Sequence, residues 1–324
     1  MSTRPSVKRI LVILGPTSSG KSDIAFKIAK KFDGEIVSAD SRQIYRGMDI
    51  GTGKVRITHN AKHEMLSGGI RHHIIDIVSP RANYNVSKFK KHAEKIIEDI
   101  LQRGKLPIVC GGTGFWIQAI VDDINFPEVK PDWRLRKKLE KYPAAKLFAM
   151  LKKLDPARAK NIDSKNKVRL IRAIEICKAI GKVPVLDVIP SAAEGSSQIP
   201  PLTSFSRNDK WMFLQIGIKL SQQELHDNIE KRVKLRFKQG MIKEIEKLYQ
   251  QGLSWKKIQS FGLAYFWIPL YLQDKLTKKE LLEKIIQAEK KYAKRQMTWF
   301  KRDKRIKWMN NYRDMQKNVM ILMK

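Results

Sequence analysis

An α/β fold is predicted, with a parallel sheet covered by helices on both faces and an all-helical domain inserted into it. Three observations predict it. Short β-branched runs are each followed by a helical pattern; a glycine-rich turn sits between the first such run and its helix; and near Pro127 the pattern changes to charged helices before one more apolar run at Trp211.

The elements follow in order. "KRILVILG" (8–15) is continuous and β-branched and reads as a buried strand ending in glycine. "KSDIAFKIAKKF" (21–32) places Ile24, Ile28 and Phe32 four apart, the spacing of one helix face. "GEIVSAD" (34–40) is a second short strand, "LPIVCGGTG" (106–114) a third, and "FWIQAIV" begins the helix behind it. Parallel strands need helical crossovers, so strand–loop–helix units in series give a sheet covered on both sides. Residues 127–183 read as charged helices: "RLRKKLEKY", "LFAMLKKL" and "NKVRLIRAIEICKAIGK". "VIPSAAEGSSQIPPLTSFSRND", rich in Ser and Pro, reads as a surface loop or linker. "WMFLQIGI" returns as a core strand, and three long helices are expected over roughly 221–251, 256–272 and 278–302. The expected division is a core of 1–126 plus 205–324, with a helical insertion and linker over 127–204.

The 324 residues are enough to bury an ample core, and 42% are apolar. No apolar run approaches the ~20 residues that span a bilayer. The first run is short and leads straight into a glycine loop, so it reads as a core strand and not as a signal peptide. A cytoplasmic protein with no membrane association is expected; nothing demands an oligomer, and a monomer is expected. Cys110 and Cys177 are too few and too far apart for a metal knuckle and read as small buried hydrophobes. His72 and His73 read as structural strand-edge residues sharing a turn with Asp76, and no zinc is expected.

The charge is informative. Lys and Arg number 65 against 32 Asp and Glu. Residues 1–125 carry 20 basic and 12 acidic groups, or +8; residues 126–324 carry 45 and 20, or +25. An excess concentrated in the later part points to a nucleic-acid partner. Part of the lysine excess is compositional, since Ile is abundant too, but that does not explain arginines placed beside aromatics.

Gly15-Pro16-Thr17-Ser18-Ser19-Gly20-Lys21-Ser22 fits G-x-x-x-x-G-K-[ST], between a strand and a helix. Glycines let the backbone turn so that successive N–H groups point inward, and the next helix adds its positive end. Lys21 supplies a point charge for a terminal phosphate. The Ser22 hydroxyl suits Mg2+, a hard ion that takes oxygen ligands. The motif reports a di- or triphosphate without saying which, and makes the sheet P-loop NTPase-like. No apolar strand ending in Asp follows the loop as a metal-and-water site would require. The carboxylate at a strand end is Asp40, which in a parallel sheet shares the crevice with Lys21. It can hold a metal through water or take a proton from a nucleophile; the alternative is a turn cap with Ser41. Gly111-Gly112-Thr113-Gly114 is a second glycine turn at a strand end. Thr113 can donate toward a leaving phosphate oxygen there, or the segment is a tight turn and nothing more.

Several segments together resemble one family, the tRNA dimethylallyltransferases or isopentenyltransferases: "GPTSSGKS", "DSRQIYRGMDIGTGK", "HHIIDI", "YNVSKF", "PIVCGGTGFWIQAI", "DPARAKNI", "RLIRAIEI" and "AKRQMTWF", in the family's order over about 9–309. The resemblance implies transfer of a dimethylallyl group from dimethylallyl diphosphate to the exocyclic amine (N6) of the adenine on the 3′ side of the anticodon in tRNA, with release of pyrophosphate. The phosphate loop would then hold the leaving group, with Mg2+ on Ser22. It further implies Asp40 as base, Thr113 near the bridging oxygen and Arg232 on the diphosphate. Contacts to the tRNA anticodon stem-loop are implied for Asp40, Ser41, Arg42, Gln43, Arg169, Arg172, Lys294, Arg295, Gln296 and Trp299. Gln43 suits the edge of a flipped adenine, and basic side chains beside Trp299 and Phe300 suit phosphate binding with stacking.

The chain departs from the family pattern in two places. "FGLAYFWIPLYL" keeps Tyr265 but has Ala264, Phe266 and Trp267 in a stretch that is Gly-Tyr-Arg-Gln-like in the family, and Glu-Lys-Lys at 289–291 replaces a Thr-Arg-Gln-like run. Two other functions share parts of the pattern: a P-loop kinase for a nucleoside or other small molecule, and a non-catalytic RNA-binding protein. The first needs no basic helical surface, and the second would not need its phosphate loop.

Overall fold

The computed structural model describes residues 8–61, 64–184, 204–205 and 211–323. The chain runs β1 (Arg9–Leu14), α1 (Lys21–Lys31), β2 (Gly34–Ser38), β3 (Thr58–His59), β4 (Met65–Ser67), β5 (Ile70–His73), α2 (Val86–Gln102), β6 (Leu106–Gly111) and α3 (Gly114–Val121). The helices α4 (Trp133–Leu139), α5 (Ala144–Leu154), α6 (Pro156–Lys160) and α7 (Lys167–Ile180) follow. It continues through β7 (Ser204–Phe205), β8 (Met212–Ile218), α8 (Gln222–Lys238), α9 (Met241–Gln250), α10 (Trp255–Gln259), α11 (Ala264–Tyr271), α12 (Lys278–Phe300), β9 (Lys307–Met309) and α13 (Tyr312–Met323). Two compact units result: residues 1–123 with 189–324, and residues 124–188. Apart from 204–205, the Ser- and Pro-rich stretch from 188 lies outside the described residues as far as 209.

In the larger unit the sheet order is β3-β4-β5-β2-β6-β1-β8-β7, with β9 also on β8. The pairings from β5 through β8, and that of β9 with β8, are parallel. The sheet is therefore mostly parallel, with helices on both faces, as the sequence predicts. β1 lies between β6 and β8, with Leu11 opposite Ile108 on one side and Leu214 on the other. Its side chains alternate between two layers. Ile10, Val12 and Leu14 pack with Phe89 and Ile97 of α2, Ile117 of α3, and Ile229 and Ile285 of the late helices. Leu11 and Ile13 pack with Ala25 and Ile28 of α1 and Met315 and Val319 of α13. Each such side chain removed from water contributes about 1.5–3 kcal/mol, so the loop after β1 grows from the best-anchored strand of the sheet.

Two of the three late helices are broken. The pattern over 221–251 is interrupted at Gly240, which adopts a left-handed φ of 96° and ends α8 before α9 begins. The pattern over 256–272 is divided at Gly262 (φ 73°) and Leu263 (φ 51°) into α10 and α11. The 23-residue α12 is continuous, and Thr277 and Glu280 form a capping box at its start.

In the smaller unit α4, α5 and α7 enclose Leu139, Leu147, Leu151, Leu170 and Ile174. Glu175 is buried beneath α4 and accepts hydrogen bonds from the Asp132 amide (2.7 Å) and from Arg136 Nε and Nη2 (2.8 and 2.7 Å). Burial alone would raise its pKa, but these donors and Arg172 hold it below the usual carboxylate range.

Candidate active site

The loop between β1 and α1 is shaped by two left-handed residues, Ser18 (φ 61°) and Gly20 (φ 80°). At Ser18 this conformation costs a non-glycine residue on the order of 1 kcal/mol, the kind of strain found at ligand cradles. Among the described residues the buried hydroxyls of Ser18 and Ser19 have no hydrogen-bond partner. Lys21 folds back and donates from Nζ to the Pro16 carbonyl at 3.1 Å. Burial lowers the Lys21 pKa and the Arg232 charge lowers it further, while Cys110 and Asp40 act to raise it. A concave loop with unsatisfied donors and a desolvated cation is built to receive an anion.

The second glycine turn packs against this loop, and each glycine has a steric reason. A Cβ on Gly111 would lie 2.2 Å from the Ala39 carbonyl oxygen, on Gly112 2.3 Å from Gln296 Nε2, and on Gly114 2.2 Å from Trp299 Cδ1. The turn is thus bare so that β2 and α12 can approach it. Gln296, nearly fully buried, accepts the Thr17 amide at 2.8 Å and donates to the Gly112 carbonyl at 2.8 Å. Thr113 Oγ1 accepts the Ser41 amide at 3.0 Å and donates toward Ser41 Oγ at 3.4 Å. Asp40 Oδ1 accepts the amides of Arg42 (2.9 Å) and Gln43 (3.4 Å), so the carboxylate caps its own turn while also facing the cavity.

The "GMDIGTGK" segment is held by the late helices. Glu244 of α9 collects the amides of Asp49 (2.7 Å), Ile50 (2.6 Å) and Gly51 (3.0 Å), and Tyr265 donates its hydroxyl to the same carboxylate at 2.8 Å. Tyr265 OH lies only 2.6 Å from where a Gly51 Cβ would be. Arg232 donates to the Gly53 carbonyl at 2.9 Å and Arg236 to the Gly51 carbonyl at 2.8 Å. Lys54 Nζ bonds Asp49 at 2.5 Å and also Asp76, placing Asp76 in an ion pair.

These segments line one cavity, part of it open to solvent. Its lining includes Lys21, Ser22, Asp40, Gln43, Arg232 and Gln296. Burial, then the neighbouring Arg236, lowers the Arg232 pKa, and Glu289 and Asp40 act against that shift. Cys110 also lines the cavity, but burial pushes its thiol up to about 12, so it is no nucleophile.

The residues expected at a nucleic acid lie in different settings. Arg42 is tied down, donating from Nε to the Phe261 carbonyl at 2.8 Å with its guanidinium 4.9 Å from the Tyr292 ring centroid. Lys294 and Arg295 are exposed on α12, and Trp299 lies half-buried against Phe115. In the smaller unit Arg169 is exposed, whereas Arg172 is bonded to Glu175 and to the Val129 carbonyl at 2.9 Å. Sequence reasoning missed Glu244, Arg236, Glu289 and Tyr292. The last two had a signal: Glu289, Tyr292, Gln296 and Trp299 follow the 3–4 spacing of one helix face. A lone Glu244 on an amphipathic helix had none.

A phosphate loop on the central parallel strand, closed by a second glycine turn and a late helix, defines a P-loop α/β protein with a helical unit in the middle of its chain. Comparison with known proteins resolves the class further. The IPP transferase family matches residues 43–303, and the isopentenyl transferase family residues 8–76. The chain belongs to the IPP transferase family. It is 41% identical to a tRNA dimethylallyltransferase of Acetivibrio thermocellus over 305 residues, covering 93% of this chain and 91% of that one. It resembles the crystal structure of the full-length tRNA isopentenylpyrophosphate transferase of Bacillus halodurans (TM-score 0.64, 31% identity, 98% of this chain and 95% of that one). It also resembles a eukaryotic dimethylallyltransferase captured acting on tRNA (TM-score 0.72, 25% identity, 97% and 77%).

Proposed function

We propose that this protein is a tRNA dimethylallyltransferase that moves the dimethylallyl group of dimethylallyl diphosphate to N6 of the adenine 3′-adjacent to the anticodon and releases pyrophosphate. The observation that carries this reading is that Lys21 and Arg232, suited to a diphosphate, share one cavity with Asp40 and Gln43, suited to an adenine amine. In the step itself the N6–C bond forms as the allylic C–O bond breaks. The electron pair leaves with the bridging oxygen, and the N6 proton passes to Asp40. The loop amides other than that of Thr17, which Gln296 holds, stabilise the growing negative charge of the leaving group together with Lys21 and Arg232. We assign the Thr113 proton, only loosely held by Ser41, to the departing bridging oxygen. Asp40 Oδ1 is committed to its turn, which leaves Oδ2 for the acceptor.

A magnesium ion fits the residues present. Ser22 and Asp40 offer hard oxygen donors on the cavity. Among the described residues no cluster of three or more His, Cys, Asp or Glu could cage a metal, which suits an ion that takes most of its ligands from phosphate and water. Such an ion would neutralise charge on the diphosphate.

On the larger unit the acceptor is met by Gln43, by the exposed Lys294 and Arg295 and by Trp299; on the smaller unit Arg169 is a separate tRNA contact. Ser41, Arg42 and Gln296 hold the shape of the cavity, and Arg172 the shape of the smaller unit. Among the described residues no helix is long and apolar enough to cross a membrane; we place the protein in the cytoplasm, as a monomer.

The test is incubation with unmodified tRNA, Mg2+ and either dimethylallyl diphosphate or ATP, followed by nucleoside mass analysis. A gain of one C5H8 unit on adenosine is expected; phosphate transfer from ATP, or tRNA binding without product, would replace the reading. Asp40→Asn keeps an oxygen for the turn and removes the base, and should cost on the order of a hundredfold or more in turnover with tRNA binding within a few fold. Full activity in that variant would remove the base assignment.

A further inference from the structure

The mechanism leaves one charged pair of the cavity unused. Arg236 of α8 and Glu289 of α12 are 5% and 2% exposed, and both line the cavity that holds Lys21 and Arg232. Arg236 Nη2 donates to Glu289 Oε1 at 3.0 Å and Nη1 to the Gly51 carbonyl at 2.8 Å, while its buried Nε has no partner among the described residues. Among the described residues the lining carries four cations, Lys21, Arg42, Arg232 and Arg236, against two carboxylates, Asp40 and Glu289. Arg42 is occupied by Phe261 and Tyr292.

A buried ion pair is a weak source of net stability, because desolvation offsets most of the attraction. Its field on neighbouring charges is less easily cancelled in a partly desolvated cleft. Both donor-site cations feel this pair: Glu289 acts to raise the pKa of Lys21 and of Arg232, and Arg236 to lower that of Arg232.

We propose that Arg236 and Glu289 form a charge-balancing pair that sets how tightly the cleft holds a diphosphate. Glu289 neutralises Arg236, so that Arg236 can hold the Gly51 loop without adding a further net positive charge beside the leaving group. The pair thereby limits affinity for the pyrophosphate product and lets it depart. These are positioning residues, acting on the anion through the cavity's field and through Lys21 and Arg232. The proposal rests on the diphosphate reading of the cleft.

The test is pyrophosphate binding to the full chain by calorimetry, in the unsubstituted protein, Glu289→Gln, Arg236→Gln and the double variant, with thermal unfolding recorded for each. Loss of one charge several ångströms from the anion changes affinity roughly fivefold. Glu289→Gln should therefore tighten pyrophosphate by about that factor and strengthen product inhibition. Arg236→Gln should weaken it by about the same factor, and the double variant should return near the starting value. A merely structural pair would move both single variants in the same direction. Same-direction changes, or none, overturn the proposal. Should Arg236→Gln fail to fold, Glu289→Gln decides alone, since its amide oxygen can still accept from Arg236; unchanged or weaker binding there overturns the proposal. An unsubstituted chain that binds no pyrophosphate would remove the functional reading itself and this proposal with it.

Discussion

The side-chain oxygen of Gln296 accepts the Thr17 amide at 2.8 Å, so a residue of the last long helix forms part of the wall of the phosphate loop. The same amide group donates to Gly112 at 2.8 Å and clamps the second glycine turn to the first. A helix near the end of the chain thus closes a cradle that begins at residue 15.

Replacing Gln296 with Ala removes both bonds and leaves the Thr17 amide and the Gly112 carbonyl without this partner. Unpaired buried groups of this kind cost about 1–3 kcal/mol, so the thermal midpoint should fall by several degrees. Pyrophosphate affinity should fall with it, because the loop loses its outer support. A variant with the same midpoint and the same affinity would show that the clamp is dispensable.

Gly114 and Gly111 give a contrast that separates side-chain from backbone obstruction. Gly114→Ala drives a methyl into the Trp299 ring, and overpacking of this sort costs about 1–3 kcal/mol. Trimming the ring with Trp299→Leu in the same chain should restore most of the lost stability. Gly111→Ala meets the Ala39 backbone, and no side-chain change there should relieve it. Unfolding curves of the single and paired variants decide; a Gly114→Ala chain that Trp299→Leu does not improve would count against the contact.

How much of this was readable beforehand follows from where each signal resides. The phosphate loop and its strand were legible, because their spacing is local and β1 is apolar on both faces, so it had to be central. The glycines of "GGTG" were visible but their reason was not: it lies in Ala39, Gln296 and Trp299, two of them almost two hundred residues away. Gln296 stood among basic residues and looked like part of a polar stripe; only packing shows it turned inward while Lys294 and Arg295 stay outside. The breaks at Gly240 and Gly262 were hidden because the apolar period runs on through them. Nothing in the sequence distinguished Glu244 from any other helix glutamate before it was found collecting three amides.

Lys294 and Arg295 are neighbours of Gln296 on α12 but exposed, so their effects should be separable from its own. Replacing both with Ala should weaken tRNA binding while leaving pyrophosphate affinity and the thermal midpoint unchanged. If each meets one phosphate, the slope of log affinity against log salt should fall by about 2 for the double variant. Binding curves from low to moderate salt measure this. An unchanged slope would move these two side chains off the RNA.

The last prediction concerns acid stability and lies away from the cavity. Glu35 on β2 is buried; it accepts from His73 Nε2 at 2.8 Å and from Arg103 Nη2 at 2.8 Å. Burial alone would raise its pKa, but the hydrogen bonds from Arg103 and His73 win and hold it at about 2, against 4.5 for a free glutamate. The folded state therefore favours the ionised form. This stabilisation is fully present above pH 4.5 and is lost as the pH falls from 4.5 toward 2. A shift of this size is worth roughly 3 kcal/mol, lost progressively across that window. Glu35→Gln should be less stable at neutral pH, because Arg103 and His73 lose their carboxylate partner, and its stability should fall less steeply with acid. Urea unfolding in steps across the window would show the two curves converging as the pH drops. Curves that stay parallel would mean that Glu35 does not carry the acid sensitivity, and the titration would have to be sought at other paired carboxylates such as Glu175 or Asp303.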